Sequence, residues 1–139
     1  MGLSDGFTDV PPGKIAAVVT HLRMLGRPPT TTVSHRTDMS IRLVPWPAVA
    51  WYRDLYQRVG EEWLWFSRRT LGAPVLEAII RNSLVEIYSL EVGGRDEGLL
   101  ELDFRTEGMC ELAFFGVTPA LIGQGAGRFL MNYAIERAW

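Results

Sequence analysis

The spacing of hydrophobic positions changes several times along this chain, and each change marks an expected element. Residues 14–25 ("KIAAVVTHLRML") are rich in β-branched and aliphatic side chains and stop at the breaker cluster "GRPP", which predicts a strand. The polar stretch that follows ends in "SIRLV", a candidate for a second short strand. In "PWPAVAWYRDLYQRVG" the period becomes helical: Trp51 and Leu55 recur with either Tyr52 or Val59, Pro47 suits a first turn and Gly60 a C-cap. "EEWLWFSRRTLG" fits a helix or an irregular lining equally well, and "APVLEAIIRN" predicts a short amphipathic helix with Pro74 near its start.

Residues 83–117 read as three strands, the first two joined at "GGRDEG" and the next two at "TEG". In the middle strand Leu100, Leu102 and Phe104 face one way and Glu101, Asp103 and Arg105 the other, as in an antiparallel sheet with one solvated face. From Gln124 to Trp139 a helix is expected, with Leu130, Tyr133, Ala134 and Ala138 as its apolar stripe. The order β-α-α-β-β-β-α predicts an α/β (α+β) domain: a mostly antiparallel mixed sheet flanked by helices.

Composition narrows the class. The chain has 139 residues, enough for one domain spanning 1–139, with residues 1–13 a flexible polar start. Apolar residues make up 47% and charged residues 22%, close to the globular average. No apolar run is long enough to cross a membrane, and the start has neither the core of a signal peptide nor a myristoylation pattern. A net charge of −2 advertises no nucleic-acid partner. A lone Cys110 excludes a disulfide framework and fits a reducing compartment, so the cytoplasm is the expected location. His21 and His35 have no partner at metal-ligand spacing, and no metal is expected.

The chemistry concentrates in "GVTPALIGQGAGRF", where Gly123, Gly125 and Gly127 separate a strand from a helix. The first amides of a helix lack intrahelical partners and carry partial positive charge, and glycines let an anion approach them. A plain turn is the alternative reading. The P-loop fails because Arg128-Phe129, not Lys-Ser/Thr, follows the last glycine. The dinucleotide fingerprint fails on glycine spacing and on its missing distal carboxylate. The kinase loop joins two strands instead of opening a helix.

The stretch "IGQGAG", preceded by "FFGVTP", resembles the Gln/Arg-x-x-Gly-x-Gly/Ala signature of the GNAT superfamily of acyl-CoA-dependent N-acyltransferases. Ile122 stands where that family usually has Gln or Arg, at the cost of one polar contact. The resemblance implies that acetyl-CoA is the acyl donor and a small-molecule or peptide amine the acceptor, by direct attack and without a metal. A non-catalytic acyl-CoA-binding or sensor module is the alternative. By the same resemblance, the loop residues Gly123, Gln124, Gly125, Ala126, Gly127 and Arg128 cradle the pyrophosphate. Phe115, Gly116 and Val117 pair their backbone with the pantetheine arm, and the Val117 N–H serves the oxyanion. Glu111, six residues before Val117, is the candidate base, expected to be partly desolvated between "MC" and "LAFF", with a water-facing strand-edge glutamate as the alternative. The aromatics Tyr52, Tyr56, Trp63 and Trp65 would wall the acceptor pocket, or simply be core. No general acid is assigned.

Members of this superfamily continue past the third helix into further strands and a fourth helix. Expected explanations are a truncated chain, a piece of a longer product, or a homodimer in which a second chain supplies the missing layer.

Overall fold

A computed structural model describes residues 5–29 and 36–139; residues 1–4 and 30–35, His35 among them, lie outside the described residues. Four strands form one sheet in the order β1-β2-β3-β4: β1 is Met39–Leu43, β2 Val85–Val92, β3 Arg95–Asp103 and β4 Glu111–Val117. Every pair is antiparallel, so the parallel contribution expected of a mixed sheet is not present among the described residues. The helices are α1 (Val49–Gly60), the single turn α2 (Ser67–Thr70), α3 (Ala73–Ile80) and α4 (Ala126–Ala138).

The first strand is therefore the one in "SIRLV", paired with β2 from Met39 opposite Val92 to Leu43 opposite Tyr88. The strand expected at residues 14–25 does not form. That segment has no regular structure and its large side chains, Val18 and Leu22 among them, are exposed. β-propensity stabilises a strand only when a neighbour supplies the ladder and a face to pack on, and residues 14–25 pair with none of the four strands.

α1 buries Tyr52, Leu55, Tyr56 and Val59, one stripe at helical spacing, against the sheet. Trp51 stays at the rim, where its indole N–H donates to Asp96 Oδ2 at 2.8 Å. Gly60 does not take the left-handed C-cap conformation; its φ is −103°. Its value is space, because a Cβ there would stand 2.3 Å from the Trp65 ring. β2 and β3 are joined by Gly93 and Gly94 alone, both at positive φ, which is the tight hairpin turn whose twist suits two antiparallel strands.

Between β3 and β4 the register shifts: Glu101 faces Phe114 but Leu102 faces Leu112, leaving Ala113 as a bulge. One sheet face, with Leu90, Leu100 and Leu102, packs on Leu130 and Ala134 of α4. The other face, with Ile87 and Leu99, packs on α1 and on Leu76 and Ile80 of α3. The expected solvated face of β3 is thus covered. Glu101 is 0% exposed because α1 and the α2 turn lie over it, and Asp103 is 6% exposed with its carboxylate held by Arg105.

Candidate functional site

The site is built at the end of β4. Thr118, the first residue beyond the strand, donates its N–H to Glu97 O at 2.8 Å and its hydroxyl to Glu97 Oε2 at 2.6 Å, which pins the strand's exit. Bonded and non-bonded pairs alternate in an antiparallel ladder. Counting back from Thr118, Gly116 opposite Leu99 and Phe114 opposite Glu101 bond to β3. The N–H and C=O of Phe115 and Val117 then point to the free edge, since β4 ends the sheet among the described residues.

After a turn at Pro119–Leu121, the loop enters α4 through Gly123 (φ 81°) and Gly125 (φ 76°). Both need the left-handed region, which a Cβ disfavours. Gly125 is the N-cap of α4, and the first helical bond runs from the Phe129 N–H to Gly125 O at 3.0 Å. The amides of Ala126, Gly127 and Arg128 precede that bond and have no intrahelical acceptor. Ala126 is buried against the sheet and Arg128 is exposed. Gln124 folds its side-chain amide back onto Ala120 O at 2.6 Å. Arg36, which nothing in the sequence singled out, reaches this loop from just before β1. Its Nη1 donates to Gln124 O at 3.1 Å, while Nε and Nη2 grip Asp38 at 2.8 and 2.6 Å and hold that carboxyl down at about 2.

A cleft of about 390 Å³ opens where these parts meet, lined by Trp63, Trp65, Phe115, Gly116, Val117, Ile122 and Gly127. Two lining glycines are bare for different reasons. A Cβ on Gly116 would stand 2.7 Å from Val59 Cγ1 and 3.4 Å from the Trp65 ring, so packing of α1 requires its absence. At Gly127 a Cβ would meet nothing of the chain within 4 Å, and the space beside this amide is left to the cleft.

Of the residues singled out in the sequence, the cleft brings together Phe115, Gly116, Val117, Gly127, Trp63 and Trp65, with the rest of the glycine loop adjoining. Tyr52 and Tyr56 are not there: both are fully buried beneath α1 and contribute no open wall. Burial, with the Glu101 carboxylate beside it, pushes the Tyr52 hydroxyl pKa well up. Glu111 is exposed, its apolar sequence neighbours notwithstanding, and does not line the cleft. Six residues of strand put Glu111 about 20 Å from Val117. A base must come within hydrogen-bond reach of the proton it takes, directly or through a water. Glu111 and the Val117 N–H therefore do not serve one reacting carbon.

The carboxylate that sequence reasoning missed is Glu101. It accepts the Tyr52 hydroxyl at 2.5 Å and, on its other oxygen, a hydrogen bond from Arg68 Nη2. Burial by itself would lower the Arg68 pKa, and the adjoining Glu101 carboxylate more than offsets it, leaving that pKa raised. The one signal in the sequence was its place on a polar stripe, which reports side-chain direction and not solvent. Among the described residues no group of three or more His, Cys, Asp or Glu is placed to hold a metal ion, and no helix is long and apolar enough to cross a membrane.

No protein-family model and no curated protein matches the chain. Solved structures do. An aminoglycoside acetyltransferase, meta-AAC0020, from an uncultured soil metagenomic sample, crystallised with trehalose and with sisomicin, superposes with a TM-score of 0.58 at 10% identity over 72% of this chain and 69% of its own. A functionally unknown conserved protein from Staphylococcus epidermidis ATCC 12228 gives a TM-score of 0.51 at 22% identity over 76% of this chain but 41% of its own. At such identities the likeness is one of fold: a four-stranded antiparallel sheet with flanking helices, of the α+β class.

Proposed function

We propose that this chain is an acyl-CoA-dependent acyltransferase that uses acetyl-CoA to acetylate an amine. The observation that carries the reading is the cleft, in which the free backbone edge of Phe115 and Val117 meets the glycine loop and the start of α4. The amides of the loop and of the first helical turn are the natural holders of a pyrophosphate. The outward N–H and C=O groups of Phe115 and Val117 offer strand-like pairing to an amide-bearing arm. Bound acetyl-CoA would supply an activated acyl group, and the Val117 N–H is the donor available to its carbonyl oxygen as that oxygen takes up charge. Trp63 and Trp65 form the opposite wall, whose aromatic faces suit a cationic amine of a small molecule or peptide.

A specific observation favours a second reading, a module that binds acyl-CoA without turnover. No titratable side chain is among the residues lining the cleft, and Glu111 stands at the far end of its strand. Titration calorimetry of the chain with acetyl-CoA, CoA and NADH tests the shared part. Both CoA species are expected to bind with dissociation constants on the order of micromolar and NADH not at all; absence of CoA binding overturns both readings. A thiol-release assay with an amine panel that begins with sisomicin, the ligand of the fold neighbour, then separates enzyme from module.

A further inference from the structure

Trp63 and Trp65 belong to a stretch, residues 61–72, that buries almost nothing of its own. The turn Glu61–Trp63 and the helix α2 contain no buried residue, and Trp63, Leu64 and Phe66 are each about two-thirds exposed. Leu64 sits at φ 57°, a left-handed conformation costly for a residue with a Cβ. Such a stretch has little reason to stay against the cleft unless something holds it.

Its hydrogen bonds to the rest of the molecule go mostly to α1. The Trp65 N–H donates to Gly60 O at 3.0 Å, and Arg53 reaches Leu71 O at 2.6 Å. The Tyr56 hydroxyl meets Ser67 Oγ at 3.3 Å and the Arg68 N–H at 3.4 Å, both long. The tie to the sheet is different in kind. Arg68, 14% exposed, sends Nη2 to Glu101 on β3, and Glu101 takes its second bond from Tyr52 on α1. The guanidinium also lies over the Phe114 ring of β4, 5.1 Å from its centroid. Phe114 stands edge-on to Trp65 at 5.1 Å and to Tyr56 at 4.9 Å, and Tyr56 and Trp65 are 5.2 Å apart. One guanidinium therefore joins α2, β3 and β4, and the ring it covers supports the indole that walls the cleft.

Burial of this pair is not explained by stability. A buried ion pair commonly stabilises no better than apolar side chains of the same volume. Arg68 Nε is, in addition, buried with no partner. What the pair supplies that an apolar filling would not is direction: a planar fork has one way to meet a carboxylate and one plane to lay on a ring.

We infer that Glu101 and Arg68 are positioning residues: their ion pair fastens residues 61–72 to the sheet and so sets the Trp63–Trp65 wall on the acceptor side of the cleft. The acceptor role of that wall rests on the function proposed above; the fastening does not. Neither Glu101 nor Arg68 bonds to the glycine loop among the described residues, so the pyrophosphate end of the cleft should not feel the pair.

The test is Arg68→Lys, which keeps the charge beside Glu101 but loses the fork and the plane. Amide hydrogen exchange on the full chain should accelerate ~10-fold at residues 61–72 and stay native in β4 and α4, with the melting temperature little changed. Acetyl-CoA affinity should stay within about twofold of native, and for any amine the native chain acetylates, the acceptor KM should rise while the acetyl-CoA KM does not. Native exchange at residues 61–72 in the variant overturns the inference. So does acceleration spread evenly over the sheet, which marks a merely structural pair. If the native chain fails to bind acetyl-CoA, the functional proposal falls, and the exchange pattern still decides whether the wall is fastened in this way.

Discussion

The two faces of the sheet are built from one alternating strand and by opposite means. On one, Leu100 and Leu102 of β3 meet Leu130, Ala134 and Leu121, and the polar contacts lie beside this cluster, where Arg137 of α4 pairs with Glu86 and Tyr88 of β2. On the other, Glu101 sits between Leu99, Tyr52 and Arg68 and is as fully excluded from water as the leucines beside it. The packing at the centre of the first face is non-directional and holds α4 through area buried, with Arg137 and Arg36 adding polar ties at its margins. The charged face is directional, and it is the one that carries the aromatic wall. A cleft assembled between the two inherits a firm side at the glycine loop and an aromatic side whose shape depends on a few polar contacts.

The largest effect should come from breaking each face by its own logic. Arg68→Met leaves the Glu101 carboxylate buried without its counter-ion, at a cost of about 3–5 kcal/mol. Leu100→Ala, next door on the strand, opens a cavity at about 2–5 kcal/mol. Repair should differ. The combination Tyr52→Phe, Arg68→Met and Glu101→Leu removes the whole polar group and is expected to recover most of the loss, whereas nothing short of refilling the volume recovers Leu100→Ala. Urea unfolding of the four proteins reads this directly, and a combined variant no more stable than Arg68→Met would show that the polar face is held by more than compensation of charge.

A smaller effect sharpens the same contrast at Gly116, where the charged side touches the cleft. Gly116→Ala pushes a methyl against Val59 and the Trp65 ring and should cost roughly 1–3 kcal/mol by overpacking. The overlap is with Val59 on α1, whereas the Trp65 ring at 3.4 Å is only in contact, so Val59 and α1 should shift before the wall does. A crystal structure of the variant with Val59 and α1 unmoved and Trp65 displaced would reverse that ranking of stiffness.

What the sequence made legible was whatever is decided locally. The Gly93-Gly94 hairpin, the strand running into "GQGAG" and the helix after it depend on φ and on neighbours a few residues away. The failures are all long-range. Residues 14–25 have the composition of a strand and no partner to make one. Glu101 reads as a solvated stripe until Arg68, from an element of one turn, is brought over it. Arg36 meets the glycine loop across 88 residues of sequence. Tyr52 and Tyr56 fit a pocket wall by type, but the helical stripe that carries them is the one α1 buries. Burial is a property of the assembled layers, and spacing along one element cannot report it.

The smallest effect is one of acid, and it sets a carboxylate on the α1 side against a leucine on the other. Asp96, at the start of β3, anchors α1 through the Trp51 indole and also accepts from the Ser89 hydroxyl and Arg42. Burial alone would raise its pKa, but these donors outweigh it and hold the carboxyl below its ordinary 3.8. The folded chain thus takes up this proton less readily than the unfolded one. The stability involved is fully present above the ordinary value and drains away as the pH falls through the lowered one. Melting temperatures taken from about pH 7 to about pH 3 should therefore fall less steeply at the acid end for Asp96→Asn than for the native chain. Leu100→Ala, by contrast, should lie below the native curve by a roughly constant amount, because the substitution removes no titrating group. Parallel curves for Asp96→Asn and the native chain would place the acid sensitivity elsewhere, with Glu86 the next carboxylate to examine: burial would raise its pKa, but bonds from Arg137 and Tyr88 leave it lowered as well.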